Sequence, residues 1–286
     1  MDRRNLPIGV FDSGVGGLTV AREIFRNLPD ENIIYYGDTA RVPYGNKSRE
    51  TIIRYSKQII QFLISRGVKA VVIACNTASS LALEAVQETV EIPVIGVVIP
   101  GANAAVQATH SGRIGIIGTS ATISSGIYDR YIRELRPDAQ VFGKACPLFV
   151  HLVEENMIDD PVTREMIHRY LDEMIQKDNI DTLILGCTHY PLLRNVIAEE
   201  IGGEPAGADN NTKSTESSDA IRLVNPAYTT AMELAALLKE QGLDSGTPAR
   251  AGSHQFYVSD DPDSFQAFAS RVLHMEIAQV QQKVLE

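Results

Sequence analysis

Short runs rich in Val and Ile alternate with helical patterns along almost the whole of this 286-residue chain. The runs are apolar throughout and do not alternate with polar residues. Continuously apolar strands separated by helices are typical of parallel sheets covered by helices on both faces. Strands are predicted at 8–11, 32–37, 70–74, 93–98, 113–118, 140–145, 182–186, 221–225 and 254–259. The predicted fold class is therefore α/β.

Helical spacing of apolar residues predicts how two of the helices pack. The buried face of the first consists of Ile52, Ser56, Ile59 and Leu63. This helix is expected to end at Gly67, because glycine readily adopts the left-handed conformation that follows a helix. The second is predicted as one helix with an apolar face of Ile123, Ile127, Tyr131 and Leu135.

The two halves of the chain resemble each other. The stretch IGVFDSGVGG (8–17) resembles RIGIIGTSAT (113–122), and VVIACNT (71–77) resembles LILGCTH (183–189). With Ile8 aligned to Ile114 in the first pair, the offsets are 106 and 112 residues, close enough for an ancient duplication, although any two Val- and Ile-rich strands look alike to some degree. The paired cysteines, Cys75 and Cys187, favour the duplication. We therefore expect two pseudo-symmetric lobes, each a parallel sheet flanked by helices, with the active-site cleft between them.

The segment 202–220 differs from the rest of the chain in composition. It consists mainly of Gly, Ser, Thr, Asn and Asp, which is typical of a mobile surface loop or a crossover between lobes. The residues that follow are too few for a third domain and are expected to return to the first lobe. The predicted first lobe is 1–97 with 208–286, and the predicted second lobe is 98–207.

Composition excludes several classes of function. With 26 basic and 36 acidic residues, the net charge is −10, which is unfavourable for binding the phosphate backbone of nucleic acid. No apolar window approaches the roughly 18 residues of a membrane span, and no signal-peptide core follows the N-terminus. A cytoplasmic protein is expected. An odd count of three cysteines in a reducing compartment argues against a disulfide framework.

Cys75 and Cys187 each end an apolar run and precede a polar tail, and several roles fit such a pair. Zinc requires three or four ligands, and a redox pair favours C-x-x-C; neither pattern is present. Packing as small buried hydrophobes suits Cys146 well but not the other two, whose neighbours are polar. A free thiol has a pKa of about 8.5 and can accept or donate a proton near cellular pH. Two thiols on opposite faces of one carbon would invert it without a cofactor.

Ligands of parallel α/β sheets bind beyond the carboxyl ends of the strands, where helix N-termini point. The polar residues expected there, besides the cysteines, are Asp12, Ser13, Asn76, Thr77, Thr119, Thr188 and His189. Asp12 and His189 are candidates for tuning the thiols or relaying protons to them. Helix capping by Asp12 and Ser13, and a purely structural His189, are the alternative interpretations.

Five stretches together resemble bacterial glutamate racemases, within the aspartate/glutamate racemase superfamily. They are GVFDSGVGGLTV (9–20), YYGDTARVPYGNKS (35–48), ACNTAS (74–79), GVVIPGA (96–102) and GCTHYPLL (186–193). The matching segments extend from residue 8 to about 200. The long polar link 202–220 and the later helix start NPAYTTA (225–231) depart from the family pattern, outside the matched motifs.

The resemblance implies a cofactor-independent enzyme, often a homodimer, that interconverts L- and D-glutamate and supplies D-glutamate for peptidoglycan. It implies that Cys75 deprotonates D-glutamate with help from Asp12, and that Cys187 deprotonates L-glutamate with help from His189 and Glu154. Glu155, next to Glu154, is the alternative for that role. The implied substrate contacts are Asp12, Ser13, Pro43, Tyr44, Gly45, Asn76, Thr77, Thr119, Thr122, Thr188 and His189. Aspartate racemases, other isomerases or decarboxylases of the superfamily, and a non-catalytic glutamate sensor remain open.

Overall fold

A computed structural model describes residues 2–204, 220–245 and 252–285. The chain divides into two compact units. The first comprises Met1–Val97 and Ala227–Glu286, and the second comprises Val98–Pro226. No helix of the described ranges is long and apolar enough to cross a membrane.

The described residues form ten strands: β1 (Ile8–Asp12), β2 (Ile33–Gly37), β3 (Ala70–Ile73), β4 (Val94–Gly96), β5 (Arg113–Gly118), β6 (Gln140–Ala145), β7 (Thr182–Gly186), β8 (Arg222–Val224), β9 (His254–Val258) and β10 (Val280–Gln282). They also form eleven α-helices: α1 (Leu18–Asn27), α2 (Arg49–Ser65), α3 (Asn76–Gln87), α4 (Val98–Ala108), α5 (Ser120–Ser124), α6 (Ile127–Leu135), α7 (Leu148–Glu154), α8 (Pro161–Gln176), α9 (Arg194–Ile201), α10 (Pro226–Glu240) and α11 (Pro262–Leu273).

Each unit is built on one parallel sheet, and the two sheets share an arrangement. The first has the order β10-β9-β2-β1-β3-β4, and the second has the order β6-β5-β7-β8. The order β2-β1-β3-β4 is thus repeated by the next four strands of the chain. Strands β1, β2, β3 and β7 are buried at every residue, which explains their continuously apolar sequence. The predicted α/β fold of two similar parallel sheets is confirmed.

Helix α2 confirms the predicted packing. Ile52, Ser56, Ile59 and Leu63 are all buried in it. Gly67 follows the helix with a φ of +76°, in the left-handed region. A residue with a Cβ would be strained there, which is why a glycine ends the helix.

The single helix predicted along 123–135 is wrong. Two helices occupy this region, α5 and α6, and Gly126 between them has a φ of +64°. The break rotates the buried face, so that Tyr128 and Ile132 enter the core while the side chain of Leu135 is 52% exposed. A left-handed residue cannot continue an α-helix, and the simple four-residue spacing across it was misleading.

The second sheet extends further along the chain than the predicted lobe boundary at residue 207. Strand β8 pairs with β7 through the register Thr182↔Arg222, so the return to the first unit falls after Pro226. The three residues of β8 carry no signal of which sheet they join. Most of the polar segment predicted as a loop or crossover, residues 205–219, lies outside the described residues.

Candidate active site

Cys75 lies where β3 passes into α3. Ala74 donates its backbone N–H to Phe11 of the neighbouring β1 (2.8 Å), and the chain then turns into the helix, with Cys75 at its N-cap. The side chain is buried, and its Sγ lies 3.5 Å from Oγ of Ser13. The positive end of a helix favours a thiolate over a neutral thiol.

Asp12 ends β1, the strand beside β3, and is fully buried. Its carboxylate accepts a hydrogen bond from the backbone N–H of Gly14 (3.1 Å), whose carbonyl accepts one from the Tyr35 hydroxyl (3.0 Å). Burial, and next the negative charges of Asp12 and Cys75, raise the pKa of Tyr35 well above its ordinary value. A Cβ on Gly17 would lie 2.4 Å from Asp12 Cβ, so glycine is required for this close approach.

The turn Pro43–Tyr44–Gly45 follows β2, and the structure places it near Cys75. The 3-10 turn Tyr44–Asn46 packs against α3, and Tyr44 is buried. Its hydroxyl donates to Asp38. Burial and Asp38 raise the pKa of Tyr44, and Cys75 contributes to the same effect.

The first unit therefore gathers its predicted residues around the ends of β1 and β3. Asn76 and Thr77 open α3 and are buried beside Cys75. These strand ends are the switch point of the sheet, because β2 lies on one side of β1 and β3 on the other. In open parallel sheets the crevice at such a point binds ligands.

Cys187 occupies the matching place in the second unit, directly after β7, and is buried. Its Sγ lies 3.8 Å from Nδ1 of His189, and Nε2 of His189 lies 3.0 Å from Oε1 of Glu154 on α7. Thiol, imidazole and carboxylate thus form a chain of hydrogen-bonding groups. This geometry favours Glu154 over Glu155 as the carboxylate that acts near Cys187.

The imidazole of His189 is strongly basic in this environment. Burial alone lowers the pKa of His189, but hydrogen bonds to Cys187 and Glu154 and their negative charges outweigh it and raise the pKa to about 10. Burial alone raises the pKa of Glu154, and its hydrogen bond and ion pair with His189 outweigh this and lower it. Both shifts favour an imidazolium paired with a carboxylate beside Cys187 at neutral pH.

Three threonines complete the predicted residues of the second unit. Thr119 follows β5 and caps α5, where its Oγ1 accepts from the backbone N–H of Thr122 (3.3 Å) and lies 3.0 Å from Thr122 Oγ1. Because Gly118 pairs with Gly186, Thr119 and Cys187 leave adjacent strands at the same level. Thr188 follows Cys187 and is buried.

Cys146 has the structural role expected for it. Its side chain is fully buried, and burial raises the pKa of its thiol. All three cysteines are free thiols. In the described part of the chain, no group of three or more His, Cys, Asp or Glu residues could hold a metal ion.

Sequence reasoning did not single out two buried residues of the first unit. Tyr35 anchors the loop after β1, and Asp38 accepts the hydroxyl of Tyr44. Both occur in the stretch YYGDTARVPYGNKS, and the signal for Asp38 was a carboxylate directly after a buried strand.

The fold and these strand-end residues define a class of protein: the chain belongs to the Asp/Glu/hydantoin racemase family, whose model matches residues 8–206. A glutamate racemase of Geobacter metallireducens is 47% identical, over 98% of this chain and 97% of the relative. The solved glutamate racemase isoform of Bacillus anthracis has a TM-score of 0.87 at 38% identity, covering 99% of this chain and 98% of that one. The solved glutamate racemase of Francisella tularensis, in complex with D-glutamate, has a TM-score of 0.86 at 36% identity, covering 99% of both chains. The chain is an amino-acid racemase, and therefore an isomerase.

Proposed function

We propose that this protein interconverts L- and D-glutamate with Cys75 and Cys187 as its two bases. The substrate follows from the similarity to glutamate racemases over nearly the full chain. The observation that carries the mechanism is that each unit has a buried thiol within two residues of the end of the third strand of the shared arrangement, with its own polar partner. The proposed product supplies peptidoglycan synthesis in the cytoplasm, and the proposed assembly is a homodimer.

In the proposed reaction, the Cys75 thiolate removes the α-proton of D-glutamate, and the electron pair of that C–H bond remains as a carbanion. The Cys187 thiol then donates its proton to the opposite face of Cα, which gives L-glutamate. Cys75 is left protonated and Cys187 ionised, ready for the reverse reaction. No external oxidant or reductant takes part. The mechanism requires the two thiols to approach Cα from opposite sides.

The neighbours of each thiol support these roles. Asp12, at the end of the adjacent strand, assists Cys75. His189, held protonated by Glu154, stabilises the Cys187 thiolate when it forms and returns a proton to it. Positioned acid–base groups of this kind typically contribute factors of about 10² to 10⁴ in rate.

The carbanion is the high-energy species, because an α-proton beside an ionised carboxylate is far less acidic than a thiol. Preorganised N–H groups and hydroxyls stabilise the charge as it moves onto the substrate carboxylate, at a few kcal/mol per donor. The proposed substrate contacts remain Asp12, Ser13, Pro43, Tyr44, Gly45, Asn76, Thr77, Thr119, Thr122, Thr188 and His189. The start of α3 and the capped start of α5 provide donors of this kind.

Deuterium incorporation at Cα in D₂O tests the mechanism. The wild-type protein should convert each glutamate enantiomer into its mirror image labelled with deuterium. Cys75→Ala and Cys187→Ala should each abolish inversion in both directions. Any exchange that persists should be confined to D-glutamate in Cys187→Ala and to L-glutamate in Cys75→Ala.

Cys146→Ala is the matched control and should invert glutamate at a near-normal rate. Near-normal inversion by either of the other two variants would contradict the two-base mechanism. Binding of glutamate without Cα exchange in the wild type would instead indicate a sensor.

The breadth of the matched family favours other substrates of that family as the alternative, since it spans aspartate and hydantoin racemases as well as glutamate racemases. Chiral analysis with glutamate, aspartate and an arylmalonate separates these possibilities. Turnover of aspartate or decarboxylation of the malonate, at a rate above that for glutamate, would replace the proposed substrate and leave the family membership intact.

A further inference from the structure

Asp38 is a fully buried carboxylate that the two-cysteine mechanism does not use. Both its oxygens accept from Nε of Arg41 (2.9 and 2.7 Å), one also accepts from the Tyr44 hydroxyl, and the other from the Ser259 hydroxyl (3.0 Å). A buried carboxylate with this many donors is held rigidly, because moving it would break several charge-assisted hydrogen bonds together.

Ser259 reaches Asp38 from a segment 221 positions further along the chain. It lies directly after β9 and is buried. Its backbone N–H donates to the carbonyl of Gly37 (3.0 Å), and its Oγ accepts from the backbone N–H of Ala40 (2.8 Å) while donating to Asp38. One hydroxyl thus joins the side chain and the backbone of the segment that leads to Tyr44.

The next pair of residues repeats this connection. Thr39 Oγ1 donates to the carbonyl of Asp260 (2.5 Å) and accepts from its backbone N–H (2.8 Å). Ser259 and Asp260 therefore fasten residues 37–40 to the end of β9. Both lie beyond residues 8–206, which the family model matches.

The same hydrogen bonds and an aromatic contact hold the side chain of Tyr44 in place. The Tyr44 hydroxyl is its only polar side-chain atom and is bonded to Asp38, and its ring packs near that of Tyr55 (centroids 5.8 Å apart). The guanidinium of Arg41 lies 4.0 Å from the centre of the Tyr55 ring and donates through Nη1 to Gln58 (2.6 Å).

We propose that Asp38 and Ser259 are positioning residues for substrate, which hold the Pro43–Tyr44–Gly45 turn in place for glutamate. The inference rests on the proposed function, in which this turn contacts the substrate. It assigns to a C-terminal segment of the chain a role in substrate affinity.

Steady-state kinetics of Asp38→Asn, Tyr44→Phe and Ser259→Ala test the proposal. Asp38→Asn and Tyr44→Phe should each raise KM for D-glutamate about tenfold, the loss expected for one charge-assisted hydrogen bond, with kcat changed less than twofold. Ser259→Ala should raise KM about threefold. The double variant Asp38→Asn/Tyr44→Phe should be no worse than Asp38→Asn alone, because the hydrogen bond that Tyr44→Phe removes is one of those already disrupted by Asp38→Asn. Unchanged KM values, or additive losses, would overturn the proposal.

Ser253→Ala is the matched control, because its hydroxyl makes one hydrogen bond to Asn32 (2.9 Å) near the opposite end of β9. It should leave KM unchanged. Amide hydrogen exchange over residues 39–47, measured without substrate, should be faster in Asp38→Asn and Ser259→Ala than in Ser253→Ala. Equal exchange in all three variants would also overturn the proposal. Since this readout needs no turnover, failure of the wild type to invert glutamate would refute the proposed function alone.

Discussion

The surroundings of Cys75 and Cys187 are alike in topology and different in chemistry. Both thiols are buried within two residues of the ends of matching strands, β3 and β7, of the repeated arrangement. Cys75 lies 3.5 Å from the Ser13 hydroxyl, with the carboxylate of Asp12 at the end of the next strand. Cys187 instead lies 3.8 Å from an imidazole two residues further along the chain.

Aligning the two halves of the chain shows which residues account for this difference. At an offset of 106, Gly118 corresponds to Asp12, and at an offset of 112, His189 corresponds to Thr77. A Cβ on Gly118 would lie 3.2 Å from the Gly186 carbonyl oxygen and 3.3 Å from Thr122 Cβ, so a larger side chain at this strand end would require its neighbours to shift. The ionisable residue near each thiol thus differs in position: Asp12 ends the strand beside β3, whereas His189 follows Cys187 on the same chain segment.

Among the neighbours of the two thiols, replacing the imidazole should have the largest effect. In His189→Asn we expect kcat/KM to fall by about 10² to 10³, because the group that stabilises and reprotonates the Cys187 thiolate is lost. The fall must be equal in both directions, since the equilibrium constant of a racemisation is one. Polarimetry with each enantiomer measures it.

The control is His168→Asn, because His168 also bridges two carboxylates in the same unit but is 44% exposed. It should retain wild-type activity. If His189→Asn stayed within twofold of wild type, the imidazole would be structural, as a buried histidine can be.

Removing the charge of Glu154 should have a smaller effect with a defined pH signature. In Glu154→Gln, the pKa of His189 should fall from about 10 toward its ordinary value, because a negative partner is lost. We expect about a tenfold loss of kcat/KM at pH 8 and a high-pH limb displaced to lower pH. The pH–rate profile and an NMR titration of His189 measure this.

The neighbouring variant Glu155→Gln distinguishes the two adjacent carboxylates. It should leave both the pH–rate profile and the His189 titration unchanged. A shift in Glu155→Gln without one in Glu154→Gln would reverse the assignment of Glu154.

The same pair should make stability depend on pH. Because folding raises the pKa of His189, the protonated imidazole stabilises the folded chain. This stabilisation is fully present below about pH 6.5 and is lost as pH rises toward 10. Because folding lowers the pKa of Glu154, its ionised carboxylate stabilises the folded chain above about pH 4.5. This stabilisation is lost as pH falls below that value. The free energy of unfolding of the wild type should therefore exceed that of Glu154→Gln most between pH 4.5 and 6.5, by about 1 kcal/mol, because solvent screens the 37% exposed Glu154 side chain. Urea titrations measure this difference, and one that is constant from pH 4 to 10 would contradict the ion pair.

The smallest effects are expected at two buried tyrosines, one in each unit. Tyr35 donates to the Gly14 carbonyl (3.0 Å), and Tyr190 donates to the Cys146 carbonyl (2.7 Å). Removing either hydroxyl should cost about 1 kcal/mol of unfolding free energy. Only Tyr35→Phe should also reduce kcat/KM, by a few-fold, because its bond anchors the loop that follows Asp12. Equal activity in Tyr35→Phe and Tyr190→Phe would show that the loop needs no such anchor.

Much of this comparison could be predicted from the sequence, because buried parallel strands are continuously apolar and are followed at once by polar residues. Cys75, Cys187 and His189 fall on that pattern. The partner of His189 did not follow from the pattern alone, since Glu154 and Glu155 are adjacent on one helix. Only three-dimensional geometry separates them.

Features held together by long-range contacts were less predictable. The link between Asp38 and Ser259 spans 221 positions and has no periodic signal. The edge strands β8 and β10 have three residues each, too few for an apolar run to specify their sheet. The spacing of apolar residues around Gly126 gave no indication that this glycine adopts a left-handed conformation and divides a helix.

The inertness of Cys146 has a practical consequence for spectroscopy. Its sulfur is enclosed by protein and burial raises its pKa, so alkylating reagents that act on native thiolates will not label it. Any label that the folded chain takes up can then be assigned to Cys75 or Cys187, which are 4% and 6% exposed. The two single-alanine variants distinguish these sites without a further substitution in the core.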